Sequence, residues 1–153
     1  MPGPELSVRA AESRDLDAIA AIEAACFRRP WTRVMFAEEL ARAFARVSVA
    51  VEGEGADEAL LGFTCVWQLP PEAHLLKIAT ASGARGRGVG GALLRRSLDH
   101  ASASGCEQVQ LEVASANASA VRLYERAGFE VVGRRPGYYR EPPDDALLMT
   151  WSR

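Results

Sequence analysis

Five glycines and two arginines occupy the nine residues Gly83–Gly91, inside the stretch Ala81–Arg96 that reads ASGARGRGVGGALLRR. An apolar, strand-like run (Leu75, Leu76, Ile78, Ala79) leads into it, and a helical pattern starts near Gly90. A glycine turn between strand and helix lets backbone N–H groups approach a bound anion, because no Cβ stands in the way. The helix start adds unpaired N–H donors and the positive end of the macrodipole. Together these are the requirements of a phosphate or pyrophosphate site. Five positive side chains and no carboxylate lie between Lys77 and Arg96, in a chain whose net charge is −2.

The elements around this loop follow from patterning. Leu6–Ala10 reads as a strand, and Ser13 as the cap of a helix to about Ala25 with Leu16, Ile19, Ala20 and Ile22 inward. Thr32 caps a second helix to about Ala43, with Val34, Phe36, Leu40 and Phe44 as its apolar members. Val47–Val51, Ala59–Gln68 and His74–Thr80 read as a meander of strands, turned at Gly53–Asp57 and Pro70–Pro71. The glycine loop then opens a helix to about Ser104, ended by Gly105. A strand follows at Gln108–Val113, then a helix capped by Asn117 with Gly128 past its end. Phe129–Val132 reads as a strand, Gly133, Pro136 and Gly137 as turn residues, and Ala146–Trp151 as the last strand. Three strands joined by two helices make βαβαβ, which predicts a locally parallel sheet. The fold class is therefore α/β, or mixed α+β, with helices on both faces of the sheet.

Length and composition set bounds. At 153 residues one domain is expected, with about 70% of the unfolded surface buried. No apolar run approaches the ~20 residues of a membrane span. The opening MPGPELSVRAAE lacks a basic segment followed by an apolar one, so no secretory leader is expected and the cytoplasm follows. Cys26, Cys65 and Cys106 have no C-x-x-C spacing and are read as reduced packing residues. No metal pattern is present, and His74 and His100 are read as structural or solvated. The near-neutral balance speaks against nucleic acid as a partner.

Which phosphate-bearing ligand fits is narrowed by spacing. Gly86-x-Gly88-x-x-Gly91 is a literal dinucleotide pattern, with Glu112 not far from where a ribose-binding acid belongs. It comes mid-chain, however, and no second nucleotide-binding half follows. A P-loop is excluded because Val89 stands where its lysine must be. In the other register, Arg85-x-x-Gly88-x-Gly90 has the form [Gln/Arg]-x-x-Gly-x-[Gly/Ala] and resembles the acetyl-coenzyme A loop of the GNAT acetyltransferases. Leu111-Glu112-Val113, Asn117, and Leu123-Tyr124-Glu125-x-x-Gly128-Phe129 are similar to the RimI subfamily, acetyltransferases of ribosomal protein S18. Pro30-Trp31, Tyr138-Tyr139 and Asp145–Met149 continue the likeness over nearly the whole chain.

The resemblance implies a GNAT fold, with a central mixed, mostly antiparallel sheet of six to seven strands and helices on both faces, and an acyltransferase that uses acetyl-CoA without a metal. It implies that Ile78, Ala79 and Thr80 pair with the pantetheine arm, and that Arg85, Gly86, Arg87, Gly88, Val89 and Gly90 hold the pyrophosphate. Asn117 would lie near the thioester, with Glu112 as general base and Tyr124 as general acid. Tyr138 and Tyr139 would meet the acceptor, the N-terminal amine of a protein such as S18, and Trp31 is read as a core anchor or as a further wall of that acceptor groove. The acidic group Glu141, Asp144 and Asp145 would then favour a cationic peptide. The chain departs from the family at Thr80–Ala84, which lacks an Asp-Pro, at Arg85, often glutamine, and at Arg140, often proline. Three alternatives stay open, acetylation of a small-molecule amine, a non-catalytic CoA-binding domain and a dinucleotide-binding oxidoreductase. The oligomeric state is not legible.

Overall fold

The structure, a computed structural model, describes residues 5–153. The opening tetrapeptide, on which the leader reading partly rests, lies outside the described residues. Strand β1 (Leu6–Ala10) leads into a short 3-10 turn, Ser13–Asp15, and then helix α1 (Leu16–Cys26). Ser13 is therefore not the cap expected of it. The cap falls on Glu12, one residue earlier: as the third residue after it, Asp15 accepts from the Glu12 N–H (2.8 Å), and its carboxylate also takes both Nη groups of Arg9 (2.8 and 2.9 Å). Leu16, Ile19 and Ile22 are buried, as is Glu23, while Ala20 is half-buried.

Helix α2 (Arg33–Ala41) starts where Thr32 Oγ1 accepts from the Met35 N–H at 3.3 Å. It is shorter than expected. Phe36 is fully buried, Val34 is 63% exposed, and Phe44 lies beyond the helix, edge-on to Trp67 at 5.2 Å. Strands β2 (Ala45–Glu52), β3 (Ala59–Leu69) and β4 (Glu72–Thr80) form the antiparallel meander. Helix α3 (Val89–Ala103), strand β5 (Gln108–Ala114) and helix α4 (Ala118–Arg126) follow, then strands β6 (Glu130–Arg140) and β7 (Pro143–Ser152).

The sheet order is β1-β2-β3-β4-β5-β7-β6, which corrects the parallel βαβαβ reading. One neighbouring pair is parallel, β4 with β5, and β7 inserts antiparallel between β5 and β6. The side chains explain this. Strand β7 carries Ala146 and Met149, both buried, and suits an interior position, whereas β6 is mostly exposed and bears Arg134, Arg135 and Arg140. Charged strands tolerate a sheet edge. Gly133, Pro136 and Gly137, read as a turn, instead lie inside β6 where its register with β7 shifts twice.

Two features of β4 position everything that follows. Its pairing with β3 steps from Cys65↔Lys77 to Val66↔Leu75, so Leu76 is an extra residue, a bulge that bends the strand. Its pairing with β5 stops after three residues, at His74↔Gln110. Beyond that point β4 and β5 separate, and a wedge opens between them.

Apolar side chains fill both faces. Ile19, Phe36, Val49 and Phe63 pack under α1 and α2, and Leu94, Leu98, Leu111, Phe129 and Met149 under α3 and α4. Cys65 and Cys106 are buried free thiols, and burial with the nearby Glu39 charge pushes the Cys65 thiol up to about 12. Cys26 is a half-buried free thiol that packs against the core under α1 and α2, as expected of it, and also lines a cavity. No helix among the described residues is long and apolar enough to cross a membrane.

Candidate active site

A cavity of about 1090 Å³ occupies the wedge between β4 and β5. One end is made by the glycine loop. Gly86 and Gly88 have φ of +78° and +80°, values a side chain disfavours by about 1–2 kcal/mol. A Cβ built on either would meet nothing within 4 Å, so the loop's mouth is open at both positions. The first helical bond of α3 runs from the Ala92 N–H to the Gly88 carbonyl (3.0 Å), so the N–H groups of Val89, Gly90 and Gly91 precede it without helical acceptors. At Gly90 a Cβ would sit 3.3 Å from Leu123, so glycine lets α4 come close to the start of α3.

Ile78, Ala79, Thr80, Arg85, Gly86 and Gly90 line this end. Arg87, Gly88 and Val89 do not. The Arg87 guanidinium pairs with Glu52 on β2, and the Val89 side chain is 2% exposed in the core. What this segment offers a ligand is backbone. The open mouth, the free N–H groups and Arg85 fit the pyrophosphate of a coenzyme A-type molecule.

The middle of the cavity brings together side chains from opposite faces of the sheet. Along β5, Val109, Leu111 and Val113 are buried beneath α3 and α4, so Gln110 and Glu112 face the other way. Tyr124, on α4, packs with those buried residues and tilts against Phe129 at 5.8 Å. Both Glu112 and Tyr124 reach the cavity because the strands have parted there. Glu112 Oε1 lies 3.7 Å from Arg135 Nη1. Burial, with a smaller contribution from Tyr139, pushes the Tyr124 phenol up to about 12. It keeps its proton throughout the neutral range. Asn117 caps α4, its Oδ1 accepting from the Ala120 N–H (3.2 Å) and Ser119 Oγ (3.3 Å), which leaves its amide nitrogen for a ligand.

At the far end Tyr138 and Tyr139 line the cavity, their rings edge to face at 5.0 Å. Both phenols are raised, Tyr138 mainly by the neighbouring Glu112 carboxylate and Tyr139 mainly by burial. Trp31 does not line the cavity. It packs on Phe36 at 5.4 Å, and its main-chain N–H donates to Glu23 Oε2. The acidic group is used internally: Asp144 accepts from Ser115 Oγ and the Ala116 N–H, and Asp145 from Arg134 and the Gly137 N–H. Glu141 alone of the three points across to the α1–α2 segment, pairing with Arg29 at 3.1 Å.

Cys26, Phe27, His74 and Lys77 are among the lining residues that escaped the sequence reading. His74, read as structural or solvated, stands in the cavity wall. Lys77 carried a signal, as the single lysine of a chain otherwise using arginine.

Comparison with known proteins agrees with this geometry. Residues 16–129 match the family described as "Acetyltransferase (GNAT) family". The chain is 34% identical to the N-alpha-acetyltransferase RimI of Mycobacterium tuberculosis, covering 94% of this chain and 90% of that protein. It is 30% identical to a putative ribosomal protein bS18-alanine N-acetyltransferase of Bacillus subtilis, over 94% and 93% of the two chains. The crystal structure of the ribosomal-protein-S18-alanine N-acetyltransferase from Escherichia coli superposes with a TM-score of 0.85 at 27% identity, covering 97% of this chain and 94% of that one. A sheet that splits between β4 and β5, an open helix start at the split and the match over residues 16–129 together assign the molecule: the chain belongs to the GNAT family of acetyltransferases.

Proposed function

We propose that this acetyltransferase, acting as one domain over residues 1–153, moves the acetyl group of acetyl-CoA to the α-amine of a protein N-terminus. An N-terminal alanine such as that of ribosomal protein S18 is the acceptor we favour, which would put the enzyme in the cytoplasm. The observation that carries the reading is the single cavity shared by the glycine loop, Glu112 and Tyr124. The relatives named for S18 alanine acetylation, at close to full length, support the acceptor.

The chain's groups suit a direct transfer. Val89, Gly90 and Gly91 N–H groups with Arg85 hold the donor's pyrophosphate, and the β4 edge at Ile78–Thr80 aligns its amide-bearing arm. Glu112 accepts the proton of the attacking amine, directly or through a water. An α-amine near ~8 costs about 1.4 kcal/mol to deprotonate at pH 7, against about 4.6 kcal/mol for a lysine at ~10.4, so one carboxylate is sufficient for the former. Tyr124 donates to the leaving sulfur. With its phenol at about 12 it stabilises the sulfur chiefly as a hydrogen-bond donor. The proton taken by Glu112 then balances the thiol that leaves.

The test is release of free thiol from acetyl-CoA in the presence of a peptide with the S18 N-terminus. The same peptide with a blocked N-terminus and an internal lysine, a polyamine and an aminoglycoside are run beside it. Turnover confined to the free α-amine is expected. Turnover with the small amines would sink the peptide assignment, and acetyl-CoA binding without turnover on any amine would point to a regulatory domain.

A further inference from the structure

The α1–α2 segment, from Phe27 to Thr32, belongs to neither a helix nor a strand, yet Phe27 forms part of the cavity wall. Two main-chain donors anchor it to one residue. The Phe27 N–H bonds the Glu23 carbonyl (3.0 Å), and the Trp31 N–H bonds Glu23 Oε2 (2.8 Å). The same Oε2 accepts from Lys77 Nζ at 2.8 Å. Glu23 is 0% exposed, and its Oε1 is buried without a hydrogen-bond partner among the described residues. Lys77 Nζ lies 4.1 Å from the centroid of the Phe27 ring and 5.0 Å from that of Trp31.

Burying a carboxylate this completely costs several kcal/mol, and one ion pair seldom returns more than that. The pair therefore contributes location rather than net stability. It ties the residue after the β4 bulge to the segment that supplies Phe27, and the ammonium beneath the ring holds that ring by a cation–π contact. Phe27 is 36% exposed and lines the cavity that Tyr138 and Glu112 also line.

We infer that the Lys77–Glu23 ion pair is a specificity-determining element, holding Phe27 as a fixed wall against the first residues of the acceptor. The inference rests on the reading of this end of the cavity as the acceptor's. Lys77 and Glu23 act through Phe27 and are positioning residues. With its protons directed at Glu23 and the two rings, Lys77 is not itself an acetyl acceptor.

The double variant Glu23→Gln/Lys77→Met tests it, since it is neutral, close in shape and leaves no uncompensated buried charge. The carboxamide oxygen that replaces the Glu23 carboxylate would still accept from the Trp31 N–H. Steady-state kinetics with the peptide acceptor, calorimetry with acetyl-CoA and thermal melting are measured together. The acceptor KM should rise about tenfold, with kcat and acetyl-CoA affinity within about twofold of the parent. Phe27→Ala should raise the acceptor KM similarly, and adding it to the double variant should add little, because the two changes remove the same wall. Lys77→Arg should restore part of the effect. An unchanged acceptor KM in a double variant that melts like the parent overturns the inference, as does full additivity with Phe27→Ala. So does a parallel fall in kcat and acetyl-CoA affinity. A parent enzyme that turns over no α-amine removes the acceptor reading and this inference with it, whereas normal parent turnover beside any of the other results removes the inference alone.

Discussion

The two ends of the cavity are built from different materials. The end proposed for the donor is made of backbone: an open helix start, two left-handed glycines and the free edge of β4. The end proposed for the acceptor is made of side chains brought from distant parts of the chain, Phe27 and Lys77 on one side and Glu112, Tyr138 and Tyr139 on the other. A backbone site needs glycine at a few positions and is otherwise indifferent to sequence. A side-chain site changes its preference with each substitution. One scaffold can thus keep its donor while its acceptor varies.

The largest effect should come from the residue where the two ends meet. Glu112→Gln keeps the shape and removes the proposed base, so kcat should fall by about 10²-fold or more, with acetyl-CoA affinity nearly unchanged by calorimetry. A Glu112→Gln enzyme with parental kcat would break the division of labour. Tyr124→Phe should lower kcat by about tenfold, the value of one hydrogen-bond donor to a charged group. It also carries a pH signature. The Tyr124 phenol stands at about 12 in the folded chain, against about 10 for an ordinary tyrosine. Below pH 10 both states hold the proton and nothing changes. Between pH 10 and 12 the unfolded chain loses its proton first, so stability should fall as pH rises, by about 3 kcal/mol in all. Urea unfolding of parent and Tyr124→Phe at pH 8 and pH 11 separates this contribution. All three tyrosines of the chain line the cavity and all are raised, so an absorbance titration reads the site alone.

Gly88→Ala tests the donor end by itself. It imposes about 1–2 kcal/mol of left-handed strain and puts a methyl group into open space at the loop's mouth, so acetyl-CoA should bind about tenfold more weakly. The acceptor KM should not move. If both constants moved together, the ends would be coupled and the contrast between them too sharply drawn.

The same contrast explains what could be read from the sequence. The donor end is local: one strand, one loop and one helix start within Ile78–Gly90, where glycine spacing states the backbone requirement directly. Helix starts at Thr32 and Asn117 were legible for the same reason, since a cap and its donor lie three residues apart. The acceptor end is not local. Lys77 meets Glu23 across 54 positions, and no periodicity records such a pair. The insertion of β7 between β5 and β6 was hidden too, because Gly133, Pro136 and Gly137 mark bulges in β6 as readily as a turn. Likewise, clustered carboxylates do not declare whether they face a ligand, and Asp144 and Asp145 face their own backbone.

The smallest effect belongs to Arg29 and Glu141, which join the α1–α2 segment to the tip of the β6–β7 hairpin. Position alone would make this pair a clasp over the acceptor end. Energy argues otherwise. The side chains are 84% and 68% exposed, and a pair so wet contributes about 0–1 kcal/mol and is screened by salt. Arg29→Ala should therefore change the acceptor KM by less than about twofold, and 1 M salt should act on the parent by no more than that. Set beside the tenfold change expected at Lys77 and Glu23, the result ranks two ion pairs that reach the same segment, one buried at its root and one open at its rim. A large effect of Arg29→Ala, abolished by salt, would reverse the ranking: selectivity would then lie at the rim, where the acceptor enters, and the buried pair would be left with fold alone.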